Sequence, residues 1–164
     1  MRKVFDIRWS NYVKSVTSTV SAVLLVAAAV LLKLSLGYTP GASTGLVFVL
    51  FVMAVFASNA PLKIVLQNNI LSIKRVCFTK NIPYNEIEYI ARYNPQADMR
   101  LCASGGFFGY IGIFCNRQTG YYFAFMGDIS EAVFIETTNG KRFVVSCEEP
   151  DLLVSEIRNR PIQE

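Results

Sequence analysis

Eighteen consecutive residues, Ser15 to Leu32, carry no charge; Lys33 interrupts, and Leu34 to Leu62 forms a second uncharged span of 29. Neither the first span nor the apolar heart of the second, Gly45 to Ala57, has a polar face, which a helix packed in a soluble core would show. At the usual rise, 18 helical residues reach about 27 Å, close to the hydrocarbon thickness of a bilayer. The intervening Gly37-Tyr38-Thr39-Pro40-Gly41 is rich in turn formers. The pattern predicts a transmembrane helical hairpin within residues 15–61, with helices over about 17–36 and 43–60. A cleaved leader fits less well, because a second apolar run follows the first at once.

From residue 62 onward the period shortens to two. Leu62–Gln67 and Ile70–Phe78 alternate around Asn68-Asn69, a two-residue hairpin turn. Ile82–Tyr93 is strand-like in its second half, and Tyr121–Met126 is a short apolar strand. Ala132–Thr137 and Lys141–Ser146 flank Asn139-Gly140, a strong hairpin signal. The run Glu148–Arg158 closes the chain as a helix. Pro150 suits its first turn, acids precede Arg158, and Leu153, Val154 and Ile157 form one apolar face. Residues 1–14 form a basic, aromatic segment in which Phe5, Trp9 and Tyr12 fall at i, i+4 and i+7. On a helix these rings would share one face suited to the headgroup layer.

Charge divides the chain in two. The formal net charge is +4, and all of it belongs to residues 1–62, with five Lys+Arg against one Asp; the remainder holds 11 of each sign. The short flanks of the hairpin are basic at Arg2, Lys3, Arg8, Lys14 and Lys63. That distribution places the N-terminus, and residues 62–164, in the cytoplasm. A neutral domain without clustered cations argues against nucleic acid as partner.

The chain contains no histidine, which removes Ser-His-Asp and Cys-His catalysis and His-based zinc sites. Cys77, Cys102, Cys115 and Cys147 lack the close pairs of a structural zinc site. In a reducing cytoplasm they are expected as separate, small buried side chains. No catalytic residue, metal site or cofactor is predicted.

Six or seven antiparallel strands followed by one amphipathic helix is the order of the pleckstrin-homology (PH) domain. Ile82-Pro-Tyr-Asn-Glu-Ile87, Ser104-Gly-Gly-Phe-Phe-Gly-Tyr-Ile-Gly112 and the stretch from Glu136 to Pro150 resemble a bacterial PH-like family. The resemblance covers Lys63–Arg158. It implies a mainly-β, partly open barrel of about seven antiparallel strands, capped by a C-terminal α-helix and preceded by transmembrane helices. It also implies a bacterial inner membrane, and supplies little chemistry.

The most unusual segment is Ser104–Gly112, where four glycines interleave with Phe107, Phe108, Tyr110 and Ile111. Without a following Gly-Lys-Ser/Thr it does not read as a phosphate loop. Its aromatics either pack over a barrel mouth or meet a bilayer or peptide. Phe107, Phe108 and Tyr110, with Trp9 and Tyr12, are the candidate partner or membrane contacts. The Gln67–Ile70 turn carries no cation, and Lys74 and Arg75 alternate across a strand. No phosphoinositide binding is expected there, since several phosphates need convergent cations. The expected function is a non-enzymatic, membrane-anchored module for protein–protein interaction or self-assembly. The alternative is a lipid or small-ligand sensor using the barrel mouth and the 104–112 loop.

Overall fold

The computed structural model describes residues 2–37, 41–93 and 99–159. Helix α1, Asn11–Leu36, and helix α2, Ala42–Asn59, are both long and apolar enough to cross a membrane. Apolar side chains such as Leu25, Phe48 and Phe51 point outward along them and are exposed among the described residues. Such an all-round apolar surface is stable only in lipid or against other protein.

Helix α1 starts six residues before the predicted Thr17. The Ser10 hydroxyl accepts a bond from Val13 N–H (3.3 Å) and caps the helix. Hydropathy alone missed these first turns because they dock on the domain; Val13 is fully buried there. Twenty-six residues make a helix of about 39 Å, long enough to cross a bilayer and still leave its first turns beyond it.

Strand β1, Lys3–Asp6, precedes the hairpin and pairs antiparallel with β2, Pro61–Gln67, with Phe5 opposite Ile64. The expected single helical face of Phe5, Trp9 and Tyr12 is therefore not formed. Phe5 lies in a strand and is buried, Trp9 lies in the connection, and Tyr12 lies in the first turn of α1. The exposed edge of β2 overrides the helical spacing, because a strand there gains ladder bonds and buries Phe5.

The first sheet continues through β3, Ile70–Arg75, and β4, Thr79–Pro83, in the order β1-β2-β3-β4. Asn68 and Asn69 turn the β2–β3 hairpin at φ 50° and 58°, as the Asn-Asn pair predicts. A short 3₁₀ turn at Tyr84–Glu86 leads to the second sheet. Its strands are β5 (Ile87–Arg92), β6 (Met99–Ala103), β7 (Tyr110–Asn116), β8 (Gly120–Met126), β9 (Ala132–Thr137) and β10 (Arg142–Ser146), in the order β5-β9-β10-β8-β7-β6.

Two features depart from the expected seven antiparallel strands. The described residues hold ten strands, and β8 pairs with β10 in parallel. Strands β1, β4, β6 and β7 are additional to those read from the sequence, and the last two flank the glycine-rich turn. Glycine obscures the alternation on which strand recognition depends.

One core lies between the sheets and includes Phe5, Ile64, Leu71, Ile73, Ile135 and Phe143. A second lies on the far face of the second sheet, where Val13 of α1 packs with Tyr110, Phe114, Tyr122 and Phe134. Cores on both faces of the second sheet explain why β9 and β10 read as nearly continuous apolar runs. Helix α3, Pro150–Arg158, inserts the fully buried Leu153 into the first core. Its Glu156 pairs with Lys3 of β1, and its Arg158 donates to the Ile90 carbonyl of β5 (2.8 Å).

The four cysteines are free, and only Cys147 is buried; Cys77 and Cys102 are exposed, against the expectation of four buried thiols. Burial pushes the Cys147 thiol up to about 12, so it stays protonated.

Candidate functional site

The turn between β6 and β7 is fixed by its own backbone. Ser104 N–H donates to the Ile111 carbonyl (2.8 Å), and the Ser104 hydroxyl donates to the Phe107 carbonyl (2.7 Å). Gly106 and Gly109 form an isolated bridge at φ 118° and 111°, values an L side chain rarely adopts. Phe108 between them sits at φ 57°, a conformation that costs a bulky residue about 1–3 kcal/mol.

What holds Phe108 there is helix α1. The Phe108 N–H donates to the Thr17 hydroxyl (2.9 Å), which in turn donates to the Gly106 carbonyl (3.1 Å). A single side chain thus satisfies both polar groups of a turn that faces the hairpin. Gly106 also lies against the Tyr12 ring, only 3.0 Å from where a Cβ would sit.

The aromatic candidates converge on this turn. Phe108 meets Trp9 edge-on at 6.2 Å between centroids and Phe107 at 4.8 Å. Phe107 meets Phe56 of α2 at 5.3 Å, and Tyr110 lies nearly parallel to Tyr12 at 6.5 Å. The Trp9 indole N–H donates to the Pro61 carbonyl (3.4 Å), where α2 passes into β2. Each ring pair adds about 0.5–1.5 kcal/mol beyond the area it buries. Burial raises the pKa of the Tyr110 hydroxyl, and the neighbouring Tyr12 adds to that shift.

All five predicted residues, Trp9, Tyr12, Phe107, Phe108 and Tyr110, therefore belong to one cluster. They reach it from a strand-to-helix connection, a helical turn and a β-turn. Two members escaped sequence reasoning. Phe56 looks like any other apolar residue of its span. Thr17 left one trace, the hydroxyl-rich Ser15-Val-Thr-Ser-Thr19 at the start of an otherwise apolar helix. The cluster offers apolar packing and two backbone bonds to a hydroxyl, a mechanical joint between hairpin and sheet.

Thr17→Val keeps the shape of the side chain and removes both bonds. It is expected to destabilise the joint by about 1–3 kcal/mol. Hydrogen exchange of the detergent-solubilised protein should show faster exchange at Phe108, with Thr17→Ser restoring protection. Unchanged exchange in Thr17→Val would contradict the role given to the hydroxyl.

Two sheets forming an open barrel and a helix laid against them define a PH-like β domain, preceded here by two helices long and apolar enough to cross a membrane. Residues 62–161 match the family described as Bacterial PH domain, and the chain belongs to that family. No similar protein is found among curated proteins or among solved structures.

Proposed function

We propose that this protein is a non-enzymatic PH-like module, anchored by its hairpin at the cytoplasmic face of the bacterial inner membrane, that binds an extended segment of a partner protein along β6. The single observation carrying this reading is the state of the two edges of the second sheet. The β5 edge is met by α3, whose Arg158 occupies the Ile90 carbonyl. The β6 edge has no neighbouring strand among the described residues, and its Met99 and Leu101 are 67% and 54% exposed. An open edge with apolar side chains and one charge, Arg100, is a template for strand addition.

The orientation is supported by the basic flanks and by the β1–β2 pairing, which keeps residues 3–6 on the same side of the hairpin as the domain. In this reading Trp9, Tyr12, Phe107, Phe108 and Tyr110 set the pose of the module at the membrane surface. The partner gains effective concentration by sharing the same two-dimensional compartment.

A photo-crosslinking residue placed at Leu101 is expected to give one discrete adduct in native membranes. The same residue at Leu152, exposed on α3, should give none. The mass of the adduct separates another protein from a second copy of this chain. Absence of an adduct from both Met99 and Leu101 in well-expressed protein would rule out the β6 surface.

A further inference from the structure

On the side not covered by α3, the sheets part to leave a cleft of about 510 Å³ between β3–β4 and β8–β10. Lys80 pairs with the fully buried Ile73, so its side chain enters from the inner face of the first sheet. Its Nζ lies 5.6 Å from the Phe143 ring centre, and the Arg75 guanidinium lies 5.1 Å from that of Phe125. Ile113, Tyr121 and Phe123 line the facing wall, and the two aromatics are 69% and 47% exposed.

The cations of this cleft are unequally engaged. Arg142 is committed to Glu136 (2.7 Å) and the Thr119 carbonyl (2.7 Å). Arg75, Lys80 and Lys141 have no carboxylate within ion-pair distance among the described residues. The Arg75 guanidinium donates once, through Nη1 to Asn59 Oδ1 (2.7 Å), while its buried Nε has no partner among the described residues. Desolvation lowers the pKa of this guanidinium, as burial without a counter-charge requires. Two cations aimed into a half-dry cleft without an anion form an incomplete arrangement. Rings beneath the cations and an apolar wall opposite complete a surface for a ligand with a charged head and an apolar chain.

We propose that the cleft binds a single-chain anionic amphiphile, its carboxylate or phosphate seated between Arg75 and Lys80 and its chain lying on Ile113, Tyr121 and Phe123. Arg75 and Lys80, both partly buried and both set over rings, match one anionic group; Lys141, the third lining cation without a carboxylate, is exposed at the rim. The head end lies beside the base of the hairpin: Arg75 bonds Asn59, the last residue of α2, and Cys77 N–H donates to the Ser58 carbonyl (3.0 Å). A lipid could enter from the headgroup layer, and a free amphiphile from solution. The site is separate from β6 and does not depend on the partner reading.

The test uses the full chain in phosphatidylcholine nanodiscs, followed by native mass spectrometry. Added palmitate or lysophosphatidylglycerol should give a one-to-one adduct, and neutral monopalmitin should not. Lys80→Gln and Arg75→Gln should each weaken that adduct about tenfold or more, the loss of one charged hydrogen bond. Lys74→Gln, across the strand, should titrate like wild type. An adduct formed from phosphatidylglycerol-containing discs with nothing added identifies the membrane as source. One formed only on addition identifies a free ligand. Should Arg75→Gln fail to fold, the half-exposed Lys80 carries the test. Equal adducts with monopalmitin, or Lys80→Gln titrating like Lys74→Gln, would overturn the proposal.

Discussion

Gly112→Val is expected to abolish the cooperative unfolding transition of the domain. Gly112 sits in β7 at φ 129°, and a Cβ there would lie 2.3 Å from the Cys102 carbonyl oxygen and 2.6 Å from Ala103 Cα. Both obstacles are backbone of β6, so no flexible side chain can yield. The positive φ costs a non-glycine residue about 1–3 kcal/mol, and overpacking adds about as much. Together these approach the whole stability of an ordinary domain. Thermal denaturation in mild detergent, followed by near-ultraviolet circular dichroism, should show no transition, or one shifted by at least about 10 °C. Gly140→Asn is the control: φ is 69°, which asparagine tolerates, and nothing lies within 4 Å of where a Cβ would sit. A normal transition in Gly112→Val would mean that β6 does not pair with β7 in the register Ala103–Gly112.

Leu153→Ala is expected to release helix α3. Leu153 is fully buried in the core between the sheets, and removing three of its carbons costs about 2–5 kcal/mol. A nine-residue helix has little stability of its own. Its docking therefore depends on Leu153, on the ion pair of Glu156 with Lys3, and on the Arg158 bonds to Ile90. Hydrogen exchange should rise along Pro150–Arg158 and at the β5 edge, while the interior of α1 and α2 keeps its protection. Uniform loss of protection through the hairpin as well would show that α3 and the hairpin unfold as one unit.

Features set by neighbours in sequence were legible before the structure. Both long apolar helices follow from charge-free runs, and the turns at Asn68-Asn69 and Asn139-Gly140 follow from the residues that tolerate positive φ. The amphipathic face of Leu153, Val154 and Ile157 placed α3 on the sheet. What escaped depends on partners distant in the chain. Strand β1 is only four residues long and exists because β2, more than fifty residues later, presents an edge. The parallel pairing of β8 with β10 is a matter of topology that no local pattern encodes. The rings of Trp9, Tyr12, Phe107 and Phe108 were conspicuous as residues, yet their common meeting point depends on Thr17 and Phe56, which are ordinary members of apolar helices. Likewise Lys74 and Arg75 do diverge as strand neighbours, whereas the approach of Arg75 and Lys80 to one cleft requires the β3–β4 turn and the second sheet.

Strand β1 also sets the order in which the molecule can be assembled. Its four residues come before the hairpin, but their place in the sheet exists only once β2, on the far side of both helices, is available. The first sheet therefore encloses both apolar helices between two of its own adjacent strands. Until α1 and α2 have been made and the chain has returned, Phe5 and the edge of β2 stay exposed. Completion of the fold thus requires that the chain has made both helices and returned to the sheet. A fragment beginning at residue 62 would lack that closing strand and keep an open, aggregation-prone edge.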